Sequence, residues 1–376
     1  HSLRRRQRQM CIRDRLITGP PGSGRSNAAK AFAAALQCVD HGCGQCNACR
    51  TTLSGAHPDV TLVRTEALSI GVDEVRELVR RAAMNPVHGC HQVVVVEDAD
   101  RITERGADAL LKAIEEPAPK TVWLLCAPTP EDVIVTIRSR CRRLHLATPR
   151  DEAVADLLTR RDGIAPEVAA EAARAGQGHI GRARRLAWDE EARARRNAIG
   201  ELPTRLRSLG DCLQAAEDLV NQASEEAAAA TAEVNAAERA ELKKALGFGS
   251  SGARPRNAQA ALRDLEKQQS ARLKRLQRDA LDRVLTELTA YHRDVLAIQT
   301  GAVRPEEENA LRGARLVNAG WSASLHRIAD SQSPEHTVAT IDAILAARKS
   351  LEHGVTPLLV METLLIAMTG VDRARW

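Results

Sequence analysis

Apolar positions fall into two regimes along the chain. Up to about residue 145 they come as short continuous runs, Leu16-Ile-Thr18, Val60-Thr-Leu-Val63, Val93-Val-Val-Val96 and Thr121-Val-Trp-Leu-Leu-Cys126, with helically spaced stretches between them. Unbroken β-branched runs belong to strands buried on both faces, and strands alternating with helices build a parallel sheet. The intervening helices are predicted over Ser26 to Leu36, from Ile70-Gly-Val-Asp73 onward with Asp73 as N-cap, and over Ala107 to Pro117. In the second of these Val75, Leu78, Val79 and Ala82 share a face; in the third Leu110, Leu111 and Ile114 point inward and Pro117 is the stop.

From residue 151 the runs disappear and helical spacing takes over. Glu152 to Arg160 and Pro166 to Ala175 predict two short helices, and Ala223 to Leu246 and Ala258 to Thr289 two long, highly charged ones. The break Gly247-Phe-Gly-Ser-Ser-Gly252 with Pro255 reads as a hinge or loose tip, so the long pair is expected to form an antiparallel hairpin. Thr356-Pro357 opens the last helix as cap and first helical residue. Leu358, Leu359, Met361, Leu364, Leu365 and Met368 give it a broad apolar face.

The 376 residues suffice for two or three domains. Aromatics are only 2%, so cores must be aliphatic, and base stacking on single strands is disfavoured as the main activity. A formal charge of +5 tolerates phosphate-rich partners without demanding them. No apolar stretch is long enough to span a membrane, and the nine cysteines are expected reduced or metal-bound in a cytoplasmic protein. The Arg-rich segment 1–15 has no turn or cap leading into Leu16. It reads as a non-native or truncated start, with a nucleic-acid arm as the lesser alternative.

Candidate chemistry clusters in three places. Gly19-Pro-Pro-Gly22-Ser-Gly24-Arg25-Ser26 has the spacing of a phosphate-binding loop between a strand and a helix, with Arg25 in the lysine position. Arginine's planar fork does not replace a compact ammonium between two phosphates. Glu97-Asp98 follows the valine run where a strand-end carboxylate would hold Mg²⁺ and its neighbour would activate water, but the two acids look exchanged. Without the loop they would read as a solvated acidic turn. Cys38, Cys43, Cys46 and Cys49 have the spacing of a closed, structural Zn(Cys)4 site; His41 is an alternative to Cys38, and a disulfide pair or idle thiols are the bland alternative.

These motifs, with Ala109-Leu-Leu-Lys-Ala-Ile-Glu-Glu-Pro117 and Thr136-Ile-Arg-Ser-Arg-Cys141, together resemble the bacterial clamp-loader branch of the AAA+ proteins over residues 16 to about 190. The resemblance implies an α/β AAA+ P-loop domain (16–148, zinc module 38–49), a helical lid (149–200) and an all-α collar (201–376) whose charged arm spans 223–289. Arg25, Glu97-Asp98 and Ala127-Pro128, where a sensor threonine is usual, imply weak or absent ATP and Mg²⁺ binding at Gly19, Gly22, Gly24, Arg25, Ser26, Glu97 and Asp98. Arg140 of Ser-Arg-Cys corresponds to the arginine finger that reaches a neighbour's ATP; alone it would read as a surface arginine. A sensor-2-like stretch leaves Gly181 or Arg182 at the key place, and Arg182, Arg184 and Arg185 could equally be a solvated face. The implied role is that of a stator working with gamma/tau and delta subunits in a pentamer that loads a sliding clamp onto primed DNA. It would have little intrinsic ATPase while forming part of a polymerase holoenzyme. Two rivals are an active clamp-loader ATPase and an autonomous zinc-containing DNA-binding protein.

Overall fold

A computed structural model describes residues 13–65, 69–247, 258–303 and 316–369. It divides into two compact units, residues 1–184 and 185–376. The expectations for the first twelve residues and for most of the 247–252 break lie outside the described residues.

In the first unit five strands, β1 (Arg15–Thr18), β2 (Val60–Val63), β3 (Gln92–Val96), β4 (Thr121–Ala127) and β5 (Arg142–His145), form one sheet in the order β2-β3-β4-β1-β5. All four pairings are parallel, with Thr18 level with Ala127 and Val96 with Leu125. The unbroken apolar runs have the expected cause. Leu16, Val94, Val96, Trp123 and Leu125 face one layer and Ile17, Val93, Val95, Leu124 and Cys126 the other, so period two places successive residues in different cores. β5 carries no apolar signal in the sequence because all four of its residues are exposed at the sheet edge.

The helices around the sheet follow local chemistry. α1 (Arg25–Gln37) packs through the small residues Ala29 and Ala33, and α2 (Asn47–Ser54) is capped by Cys46. α3 (Val72–Ala82) buries Val75, Leu78 and Ala82, but its N-cap is Gly71. The predicted cap Asp73 instead lies in the first turn, where a carboxylate favours the helix dipole without closing an N–H. α4 (Glu104–Glu115) starts at Thr103, whose hydroxyl accepts from the Gly106 N–H, and buries Leu110 and Ile114 fully, Leu111 partly. A short α5 (Val135–Arg138) precedes β5, and α6 (Asp151–Asp162), α7 (Pro166–Gly176) and α8 (Ile180–Trp188) follow it. Asp59 positions the loop before β3. Against the cost of burial, N–H groups of Val87, His88 and Gly89 at 2.6–2.7 Å hold its carboxyl below the usual range.

The second unit is helical: α9 (Glu190–Arg205), α10 (Leu209–Ala245), α11 (Ala258–Gln299), α12 (Ser322–Ser331), α13 (Pro334–Glu352) and α14 (Pro357–Thr369). α10 begins 14 residues before the predicted Ala223, at a capping box of Ser208 and Asp211. Its core joins Cys212, Ala216, Leu281, Leu285, Leu288, Ile344, Met361, Leu364 and Leu365. Leu358 and Leu359, expected on the apolar face of α14, are instead exposed, because Val360 takes the inward position. Beside this core the Arg196 guanidinium is buried against Glu287 at 3.2 Å, stacks 4.4 Å from the Trp321 ring and donates to Asn318, whose own N–H donates to Asp294.

His292 is buried on α11 with neither ring nitrogen hydrogen-bonded. Burial, helped by His336, pushes its pKa down to about 4. The unfolded chain therefore takes up this proton first, and the stability contributed by neutral His292 is complete above about pH 6.5 and lost as pH falls towards 4, on the order of 3 kcal/mol at most. His292→Leu is expected to flatten the decline of the thermal midpoint between pH 6.5 and 4.5; equal pH slopes for both proteins would refute this.

Candidate nucleotide loop and cysteine cluster

The carboxyl edge of the sheet gathers the first group of residues. Gly19 follows β1 and its N–H donates to the Pro128 carbonyl beyond β4 at 3.0 Å, so the loop is fastened where a sensor side chain was expected. Gly22 and Gly24 have φ of +79° and +91°, the left-handed region that glycine enters without cost, and Gly24 leads into α1 as its N-cap. Arg25 starts that helix. Its Nη1 and the Ser23 hydroxyl are buried without hydrogen-bond partners.

Two contacts reach the residues of the loop and the strand end. Glu97, at the end of β3, is held by Lys30 of α1 at 3.0 Å, which neutralises the carboxylate expected at the metal position. His179, just before α8, lies against Gly22: a Cβ there would come within 2.1 Å of the imidazole, and the Ile180 N–H donates to the Gly22 carbonyl at 3.3 Å. Nδ1 of His179 accepts from the Arg182 N–H at 3.1 Å, which leaves Nε2 to carry the proton of the neutral ring. Burial and the neighbouring Arg182 and Arg25 charges lower its pKa and keep it neutral. At this site, then, the His179 ring leaves no room for a side chain at Gly22, and the strand-end acid is paired with Lys30. Lys30 and His179 escaped sequence reading because neither belongs to the motif it modifies.

Arg140 lies at the other side of the expected chemistry. Its guanidinium is 37% exposed, paired with Glu115 of α4 at 2.5 Å and donating to the Thr136 carbonyl at 2.7 Å. Of the arginine cluster, Arg184 pairs with the largely buried Asp162 at 3.0 Å, and Arg185 with Glu226 at 2.8 Å. Both arginines are thus ion-paired while their side chains stay 51% and 41% exposed. Gly181 offers no side chain, and Arg182 serves through its backbone N–H.

The four cysteines meet as the spacing predicted. One sulfur from each of Cys38, Cys43, Cys46 and Cys49 lies within 4.8 Å of the others, and Cys38 Sγ is 3.7 Å from both Cys43 Sγ and Cys46 Sγ. A tetrahedron with metal–sulfur bonds of about 2.3 Å has edges of about 3.8 Å, whereas a disulfide needs about 2.05 Å. Backbone N–H groups of Cys46 and Cys49 donate to Cys43 and Cys46 sulfurs, as thiolate ligands require. Exposed His41, in a left-handed conformation, is not among the converging ligands. The cluster can hold a metal ion.

A loop of P-loop spacing on a parallel α/β module, an acid-terminated strand beside it and a following helical segment are the arrangement that the resemblance to the clamp-loader branch implies. Residues 5–150 match the family described as DNA polymerase III, delta subunit. The DNA polymerase III subunit delta′ of Haemophilus influenzae is 35% identical over 153 residues, 40% of this chain and 47% of that protein. The delta′ subunit of Escherichia coli is 33% identical over 186 residues, 48% of this chain and 56% of that protein. DNA polymerase III subunit gamma/tau of Mycobacterium tuberculosis is 35% identical over 142 residues, 36% of this chain and 25% of that protein. The chain is thus similar, over part of its length, to delta′ and gamma/tau subunits of DNA polymerase III. The chain spans about half the length of the delta′ relatives it matches.

Gly22→Ala tests the contact between the loop and His179. Left-handed strain and collision with His179 are expected to cost at least about 2 kcal/mol of stability, and adding His179→Ala should recover part of it. Additive effects in a double-mutant cycle would show that the ring does not bear on the loop.

Proposed function

We propose that this chain is a delta′-type stator of a clamp loader, a member that supplies an arginine to a neighbour's ATP while hydrolysing none itself. The observation that carries the reading is the contrast between two sites in one module. In the chain's own loop His179 lies against Gly22 and the strand-end acid is clasped by Lys30, while Arg140 stands at the surface. A guanidinium held by Glu115 is oriented yet accessible, and exchange of that carboxylate for a γ-phosphate keeps its charge compensated. An arginine finger neutralises charge developing on the transferred phosphoryl group and is worth roughly 10³ in rate or more at the site it serves.

In this reading the partners are gamma/tau motor subunits and a delta subunit in a pentamer, and the assembly uses ATP to place a sliding clamp on primed DNA. Identity to delta′ and to gamma/tau relatives is similar, so it does not separate stator from motor. Arg25, Glu97-Asp98 and Ala127-Pro128 favour the stator, because each departs from a different part of the hydrolytic pattern. The cysteine cluster, in the same reading, holds Zn²⁺ as a closed structural site that fixes the loop between α1 and α2.

Arg140→Ala in the reconstituted assembly is expected to lower DNA-stimulated ATP hydrolysis at least twofold, one of several sites losing its finger, with the isolated chain's fold unchanged. An unaltered rate would remove Arg140 from the mechanism, and turnover near one per second by the isolated chain would overturn the stator reading. Metal analysis is expected to find about one zinc per chain, lost in Cys49→Ser together with thermal stability; a metal-free protein of full stability would refute the zinc assignment.

A further inference from the structure

The hairpin of α10 and α11 runs well past the core that anchors it. The outermost core residues on the two helices are Ala223 and Ala280, and beyond them the pair is held by its own contacts. Gln277 donates to Ser224 at 2.7 Å, Arg272 to Asn235 and Glu238 at 2.7 and 2.8 Å, and Gln269 to the Asn235 carbonyl at 3.0 Å. A two-helix extension of this length orders many residues and buries few apolar ones, so core packing does not explain its presence.

Its charges are arranged rather than scattered. On α11 Arg263, Lys267, Lys274 and Arg278 follow at spacings of four, seven and four residues, which places them on one face over about 22 Å. Beside that face lies a groove of about 610 Å³ between the helices, lined by Arg239 and Lys243 of α10 and by Gln269 and Ser270 of α11. The acids nearby are already engaged, Glu266 with Arg239 at 3.6 Å and Asp264 with Lys267 at 3.8 Å. Among the described residues no ion pair involves Arg263, Lys274, Arg278 or Lys243. Glu241, two residues from both Arg239 and Lys243, points to the far side of α10 by helical phase.

We propose that this face of the hairpin is a docking surface for duplex nucleic acid, gripped through its phosphate backbone. A row of cations in a line, of which only Lys267 is paired among the described residues, fits a phosphate ridge, along which charge repeats every few ångströms. Residues 258–290 contain no Trp, Tyr or Phe, so there is no platform for unstacked bases and no demand for a particular sequence. The surface is separate from the nucleotide loop and from Arg140, and it requires nothing of the clamp-loader reading.

The test uses the full chain and a fluorescein-labelled 20-base-pair duplex of arbitrary sequence, with anisotropy measured between 50 and 200 mM KCl. About four phosphates neutralised give an expected slope of log K against log salt near −3.6, with binding that is weak and fades towards 200 mM. Lys267→Glu/Lys274→Glu/Arg278→Glu is expected to lose at least tenfold in affinity at 50 mM KCl and to bring the slope near −1. Lys274→Gln/Arg278→Gln, which leaves every hairpin hydrogen bond in place, should lose about two units of slope. Unchanged helical circular dichroism verifies the fold of both variants. Wild-type binding by the triple variant, no binding at 50 mM KCl, or tighter binding of a polyglutamate peptide than of the duplex would each overturn the proposal.

Discussion

The burial of the parallel sheet on both faces is the constraint from which the rest of the first unit follows. Val93 to Val96 and Val122 to Ala127 are shut from water on each side, each side chain removed from solvent contributing on the order of 1–2 kcal/mol or more. A strand in this position cannot slip by one residue without exchanging two packed cores. That rigidity fixes the level at which β1, β3 and β4 end, and hence the relative places of Gly19, Glu97 and Pro128. Every polar residue of the nucleotide edge is positioned by that apolar registry.

On this scaffold a few long-range contacts reach the loop and the strand end. The Lys30–Glu97 pair and the His179 ring against Gly22 act at different points, one on the charge of the strand-end acid and the other on the room above the loop glycine. Arg140 is treated differently. Its restraints are a carboxylate and a carbonyl at the surface, contacts that orient a guanidinium without burying it.

The helical unit depends on a different balance. Arg196 and Glu287 are removed from water together, and the cost is offset by their mutual attraction, by Asn318 and by the face of Trp321. Gly200 makes the last of these contacts possible, since any side chain there would meet the indole ring. The polar network ties α9, α11 and the segment before α12 together at one point, while the aliphatic core around Leu285 and Leu365 supplies the bulk of the packing.

Elements with strong periodicity were legible from residue order alone: the four buried strands, α4 with its proline stop, and the last helix with Pro357 as its first residue. The cysteine cluster was legible too, since short spacing leaves little freedom in how four thiols converge. β5 was invisible because an exposed edge strand needs no apolar residues, and the start of α10 because its first turns pack small residues such as Cys212 and Ala216. Asp73 was misassigned as a cap because the chain turns into the helix two residues earlier. The sequence by itself determined the class of fold and the chemical inventory of each site, for these rest on local spacing. Only the tertiary structure decided which side chains reach that inventory: Lys30 on Glu97, His179 on Gly22, Glu115 on Arg140. Those pairs are separated by 67, 157 and 25 residues, and such contacts are set by how layers pack rather than by any pattern along the chain.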